Sequence, residues 1–463
     1  MITSNLDPNV KKYLPWILAT AFFMQMLDST VLNTALPSIA LDFKESLLNM
    51  QNAIISYVLT LALFMPVSGF LADKFGTRKI FIWSLILFSI GSLFCALSQD
   101  LNQLVISRVI QGLGGALMTP VGKLALIKAF DKSELLKAMN YATIPALIGP
   151  VLGPLVGGYL VDYLSWHWIF IINLPIGLLG IFLGLKFMPN YFSKVTHFDF
   201  KGFSIFAGAA LLLSVSLELM GQTKSLSFIL MLFLLGFLLL YYYYTYAKKT
   251  ADVIFPLKLF LVRTFRVGIF GNLACRLGIS SIPLLIPFMI QIAYGESAVI
   301  SGWIVAPMAL TAMFGKSAVI SVLNYFGYRN TLMYNTFIIG VLITCLAIPG
   351  INTNIYWFIP LLASLGFFNS IHFTAMNTIA IADLRNDQTS SGNSLLSVNQ
   401  QIAIGFGIAI GLAVLRFYQN LAPVHIHDAF RNTFLTIGIL TVFSGFVFRR
   451  LHFRDGDNLK TKD

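Results

Sequence analysis

The chain has 463 residues, 57% of them hydrophobic and only 11% charged, with a net charge of +12. A soluble domain carries about 25% charged residues, so a single water-facing surface is excluded and lipid must be the main solvent. The apolar runs are unbroken and long enough to cross a ~30 Å hydrocarbon core at ~1.5 Å rise per residue, which excludes a barrel built from alternating strands of about ten residues.

In chain order, fourteen candidate spans lie at about 14–36, 52–72, 79–98, 103–128, 137–162, 167–188, 202–220, 226–247, 266–293, 298–323, 331–350, 355–382, 392–418 and 432–450. The first run has full spanning length and no small-residue cleavage site, so it is expected to remain as the first span. Cys95, Cys275 and Cys345 all fall in apolar runs, with neither a disulfide framework nor a metal spacing, and read as packing residues.

The cations test the count, because cytoplasmic loops are enriched in Lys and Arg. With fourteen spans, one set of tails and loops holds 23 of the 31, among them Lys11, Lys74, Arg78, Lys79, Lys194, Arg449, Lys460 and Lys462. The opposite set holds only Lys44, Lys224, Arg416 and Arg431, and the remaining four lie inside spans. An omitted or invented span would scramble this asymmetry. Both termini are therefore expected in the cytoplasm of a bacterial inner membrane, and the +12 is an orientation signal rather than an affinity for nucleic acid.

An internal repeat accompanies this pattern. Asp73-Lys-Phe-Gly76-Thr-Arg78-Lys79 follows span two, and Asn324-Tyr-Phe-Gly327-Tyr-Arg329-Asn330 follows span ten. With spans seven and eight as an inserted pair, the two segments occupy equivalent places in two six-helix units. The expected fold is an all-α polytopic membrane protein. It has a first six-helix bundle over 1–190, an inserted helix pair and connection over 191–262, and a second six-helix bundle with a tail over 263–463.

Four motifs carry chemistry. Gly69-Phe-Leu-Ala-Asp73-Lys-Phe-Gly76-Thr-Arg78-Lys79 lies in the turn after span two, where glycines permit close helix approach and a tight turn, and Asp73 can pair with a neighbouring cation or helix end. Leu27-Asp28-Ser-Thr30-Val-Leu-Asn33 lies in span one. An Asp inside an apolar helix is costly unless paired or protonated, so Asp28 is either a proton carrier or a structural hydrogen-bond anchor. Arg108-Val-Ile-Gln111-Gly112-Leu-Gly114-Gly115 lies in span four. Asp28 is roughly 22 Å and Arg108 roughly 20 Å from the cytoplasmic face, a similar height that allows the two to pair. Gly149-Pro150-Val-Leu-Gly153-Pro154-Leu-Val-Gly157-Gly158, in span five, spaces glycines four apart on one face and adds prolines that loosen the helix.

With these motifs the chain resembles the major facilitator superfamily over nearly its whole length and, within it, the fourteen-span drug/proton antiporters of the EmrB/QacA type. The resemblance implies that Asp28 and Arg108 serve proton coupling and that Gly69, Asp73, Gly76, Arg78 and Lys79 form a conformational latch. It also implies that Gly149, Pro150, Gly153, Pro154, Gly157 and Gly158 are the antiporter signature. Asn324, standing where the first repeat has Asp73, suggests a weaker second latch. Trp166-His-Trp168-Ile-Phe-Ile-Ile-Asn173-Leu-Pro175-Ile-Gly177 matches the same subfamily and reads as positioning and packing.

Asn33 and Gln111 are candidate substrate-cavity residues, together with Arg276, Lys316 and His372 inside spans nine, ten and twelve. The last three sit at one depth, roughly 12–18 Å from the cytoplasmic face, and would together attract an anion. The alternative is that they pair with backbone carbonyls or snorkel.

The leading class is a proton-driven exporter of small molecules by alternating access, with multidrug efflux as the family expectation. Export of an anionic metabolite, such as an organic acid or carboxylate siderophore, is the alternative. A membrane-embedded enzyme would need a clustered catalytic set, and the six histidines are scattered. His425, His427 and Asp428 read as a solvated loop rather than a metal site. No cofactor or metal is expected, the partners are lipid, protons and substrate, and the superfamily usually acts as a monomer.

Overall fold

The computed structural model describes residues 8–193, 197–220, 225–250, 253–385, 388–421 and 425–459, and Lys194, Lys224, Lys460 and Lys462 of the charge count lie outside them. The described residues form helices α1 (Pro8–Phe43), α2 (Gln51–Phe64), α3 (Val67–Phe75), α4 (Thr77–Ala96), α5 (Leu101–Ala129) and α6 (Lys132–Tyr163). These are followed by α7 (Trp168–Ile171), α8 (Asn173–Phe187), α9 (Phe200–Leu219), α10 (Leu226–Lys249), α11 (Arg263–Ile279) and α12 (Ile282–Phe288). The last four are α13 (Ala298–Cys345), α14 (Phe358–Ile381), α15 (Thr389–Asn420) and α16 (Ile426–Ser444). In a bilayer every backbone group must be bonded within the chain, and helices do this locally.

Among the described residues, twelve helical segments are long and apolar enough to cross a membrane. The fourteen expected spans differ from these twelve in two places, each with a physical reason. Helix α1 is 36 residues long, but Gln25, Asp28 and Asn33 dilute its hydropathy. Helix α13 has 48 residues, well beyond one crossing, and breaks at Gly327, whose φ of 72° and ψ of 166° are non-helical. Gly76, in the first repeat, has φ 93° and ψ 144°. A positive φ is cheap only for glycine, so both repeats use one residue to reverse the chain between consecutive spans.

The chain divides into two compact units, 1–198 with 297–302, and 199–296 with 303–463. The inserted pair, α9 and α10, falls in the second unit, where α9 packs on both α10 and α15. Asp199 caps α9 by accepting from Gly202 N at 2.8 Å. Only 17% of the most apolar window of α10 is buried, against 67% for the segment Arg263–Ala293, which makes α10 a lipid-facing helix.

The first unit is organised by two close helix pairs, α1 with α6 and α4 with α5. A Cβ on Gly114 would stand 2.5 Å from Phe88 N and 2.6 Å from Ser84 O, so α5 lies directly on the backbone of α4. Small residues at such crossings let dispersion and backbone contact hold helices that the hydrophobic effect cannot drive together in lipid. Replacing Gly114 by Ala should cost about 1–3 kcal/mol through overpacking. Gly69→Ala, where nothing lies within 4 Å, should be neutral or gain up to about 1 kcal/mol in helix propensity. Thermal unfolding of the two variants in detergent checks this contrast.

Candidate functional site

Asp28 and Arg108 meet in the first unit. Arg108 Nη1 donates to Asp28 Oδ2 at 2.7 Å, and the two side chains are 1% and 0% exposed. Both charged groups have further partners. Arg108 Nε donates to Ala53 O at 3.2 Å, Nη1 also reaches Gln111 Oε1 at 2.6 Å, and the guanidinium lies 4.1 Å from the Tyr57 ring centroid. Asp28 Oδ1 accepts from Gln111 Nε2 at 2.8 Å and from Asn173 Nδ2 at 2.9 Å. Both amides also donate to Ser92 Oγ, at 2.6 and 3.1 Å.

Five helices supply this group: α1, α2, α4, α5 and α8. Arg108 and Gln111 are three residues apart on α5 and so share a face. Gln111 is fully buried here and bonded to both members of the charge pair. Asn33 is half-buried and makes no hydrogen bond to Asp28, Arg108 or Gln111. Asn173, Ser92 and Tyr57 were not singled out as site residues in the sequence. A lone Asn in the apolar run after Trp168 was the available signal; Ser92 and Tyr57 offered none.

Asp28 can point into this group because the rest of α1 is committed elsewhere. Cβ atoms on Gly149, Gly153 and Gly157 of α6 would run into Leu27, Thr30 and Val31 of α1. Pro150 and Pro154 lie inside α6. Gly158 meets the backbone at Ala298, and Asp162 one turn on accepts from Val299 N at 2.8 Å, so the first turn of α13 packs and is capped within this unit. The signature segment is thus the seat of α1.

At the turn after α3, Asp73 Oδ1 accepts from Lys128 Nζ at 3.0 Å, and the same ammonium reaches Ser193 Oγ at 2.5 Å. Thr77 N donates to Tyr191 O at 3.0 Å, and Arg78 N to Asn190 Oδ1 at 3.1 Å. Arg78 also donates to Leu185 O. A Cβ on Gly76 would collide with Asn190. Lys79 is exposed. Gly69 corrects the expected close approach, since open space surrounds it. In the second unit the equivalent turn is closed by the C-terminal segment: Arg329 stacks 4.0 Å from the Phe453 ring, and Arg263 pairs with Asp455 at 2.5 Å.

Arg276 and His372 line one cavity in the second unit with Asn272, Asn369, Ile339 and Phe373. Lys316 is exposed and is not among the residues that line this cavity. The expected trio of cations is therefore a pair.

The sequence profile of the Major Facilitator Superfamily matches residues 18–408. The chain belongs to the major facilitator superfamily. It is 40% identical over 457 residues to the "Probable transport protein HsrA" of Haemophilus influenzae, covering 98% of this chain and 99% of that one. It is 41% identical over 454 residues to the "Putative multidrug resistance protein MdtD" of Cronobacter sakazakii, covering 97% and 96%. Among solved structures of the fold, it aligns with the peptide transporter POT in complex with sulfate at a TM-score of 0.71 and 14% identity, over 97% of this chain and 96% of that one. The nucleoside transporter NupG aligns at 0.62 and 13%, over 98% and 100%. The major facilitator assignment and the spans make this a multi-pass membrane transport protein.

The buried pair gives a direct energetic prediction. Arg108→Ala strands a carboxylate among amides and should destabilise the protein by about 3–5 kcal/mol. Removing both charges, as Asp28→Asn with Arg108→Gln, should cost much less than Arg108→Ala alone. A double-mutant cycle on unfolding in detergent measures the difference.

Proposed function

We propose that this chain is a proton-coupled exporter of small molecules from the cytoplasm of a bacterium. The observation that carries the reading is the Asp28–Arg108 pair with Gln111 and Asn173, buried within the first bundle. An intramembrane carboxylate is a functional residue by default when its partner is an arginine with other acceptors already in place. Arg108 has two such acceptors, Ala53 O and Gln111 Oε1. A proton arriving on Asp28 neutralises the carboxylate and cancels its attraction for Arg108, while the guanidinium keeps those bonds and the Tyr57 ring. The carboxyl then becomes a donor, and the amides around it must turn. Two hydrogen-bonded arrangements of one group provide the bistable element that ligand and proton can bias in opposite directions.

Orientation follows from the cations. Lys74, Arg78, Lys79, Lys128 and the tails fall on one set of loops, so that side faces the cytoplasm. The Asp73–Lys128–Ser193 contacts then form a clasp on the cytoplasmic edge of the first bundle. The resemblance to proteins named for multidrug resistance supports efflux as the direction of transport.

Transport by the purified protein in liposomes should follow an imposed pH gradient and collapse with a protonophore. Asp28→Asn should abolish uphill transport while leaving exchange between equal substrate pools. Uphill transport that persists in Asp28→Asn, or that needs ATP with the gradient clamped, contradicts the reading.

A further inference from the structure

Where α3 turns into α4, the first unit has a cavity with about 470 Å³ open to water, many times the space one water molecule needs. Lys74, Arg78 and Lys79 all line it, and no acid is among the lining residues. Asp73, the acid of this turn, is held by Lys128 instead. Among the described residues no carboxylate pairs with Lys74, Arg78 or Lys79. Arg78 donates through Nη2 to Leu185 O, which leaves Nε and Nη1 of a half-buried guanidinium with no protein acceptor among the described residues. Three like charges around one cavity repel one another, and an anion placed between them removes that cost.

The other walls are apolar, which is a separate observation. Phe75 and Phe192 are 43% and 61% exposed, and Ile82 lies beside them in the lining. The Lys74 ammonium is 5.3 Å from the centroid of the Phe75 ring. Ile82 is in the second turn of α4 and Leu185 in the last turn of α8. These helices pack together and belong to the apolar segments Thr77–Ala96 and Trp168–Phe187. The cavity therefore sits at the end of two adjacent spans, at the level where hydrocarbon gives way to headgroups.

We infer that this cavity binds the headgroup of an anionic phospholipid from the surrounding bilayer. The phosphate oxygens meet Lys74, Arg78 and Lys79, and the upper part of the acyl chains lies against Phe75, Ile82 and Phe192. A guanidinium takes two phosphate oxygens at once, and the lysines add charge without fixing a geometry. Each cation near the membrane surface adds to the attraction for anionic lipid. A zwitterionic phospholipid brings the same phosphate with a cation, which three positive groups disfavour. A free phosphate brings the charge but gains nothing from the apolar walls. The ligand is a resident of the transporter rather than its cargo, so the inference is independent of which group carries the proton.

The test is native mass spectrometry of the full-length protein, released from micelles that hold phosphatidylglycerol and phosphatidylcholine with the same acyl chains in equal amounts. One phosphatidylglycerol should be retained, favoured over phosphatidylcholine by about tenfold or more. Lys74→Gln with Lys79→Gln should cut that preference by at least several-fold, because both exposed ammonium groups are lost. Lys74→Arg with Lys79→Arg should keep it, which separates lost attraction from a folding defect. Lys248→Gln with Lys249→Gln removes the same charge from exposed positions on α10 and should leave the preference unchanged. Glycerol 3-phosphate, a phosphate without chains, should not displace the lipid at millimolar concentration. Equal retention of the two lipids, a preference that survives Lys74→Gln with Lys79→Gln, or an equal loss in the α10 variant overturns the inference. Displacement by glycerol 3-phosphate also overturns it, and would make the cavity a site for soluble phosphates.

Discussion

A carboxylate and a guanidinium, each with 1% or less of its side chain exposed, coexist in the first bundle. Moving either ion alone into such a medium costs several kcal/mol, and mutual attraction repays it only when the remaining donors and acceptors are also filled. The other demands on the first unit follow from that condition. Ala53 must present its carbonyl from α2, Gln111 must lie one turn beyond Arg108, and α8 must bring Asn173 to the free face of Asp28. Tyr57 covers the guanidinium without spending a hydrogen-bond acceptor.

That geometry needs helices closer together than bulky side chains allow. Glycines on α6 seat α1 so that Asp28 faces inward, and Gly114 sets α5 onto α4 so that Gln111 reaches both Arg108 and Ser92. The signature stripe of span five and the span-four glycines thus support the charge pair by backbone proximity. The turn at Gly76 and its contacts with 185–193 fix the other end of the same helices. The second bundle repeats the turn at Gly327, beside which Arg329 stacks on Phe453 and Arg263 pairs with Asp455.

Much of this was legible in the sequence, and the gaps have identifiable causes. Run lengths locate spans because helix rise and bilayer thickness are both fixed; α1 is diluted by Gln25, Asp28 and Asn33, and α13 carries two expected spans joined across Gly327. The meeting of Asp28 with Arg108 could be expected from depth, since equal height is a one-dimensional quantity. What depth cannot give is direction around the helix axis. Lys316 is expected at the level of Arg276 and His372, yet it is exposed and does not line their cavity. Gln111 sits three residues from Arg108, a spacing that puts both on one face of α5. Asn173 and Ser92 enter only through tertiary packing, and a serine among many in apolar helices carries no mark of its role. Gly69 matched its motif, but no neighbour in the structure uses its missing side chain.

The central claim is that Asp28 is the group that gains and loses the proton. Infrared difference spectroscopy on the protein reconstituted in lipid, cycled between acidic and alkaline buffer, reports the carbonyl stretch of a protonated carboxyl in an apolar setting. The account predicts a band that grows on acidification, shifts on exchange into heavy water, and is absent from Asp28→Asn. A band that survives in Asp28→Asn, or a wild-type protein with no such band across the range over which transport is active, would contradict it.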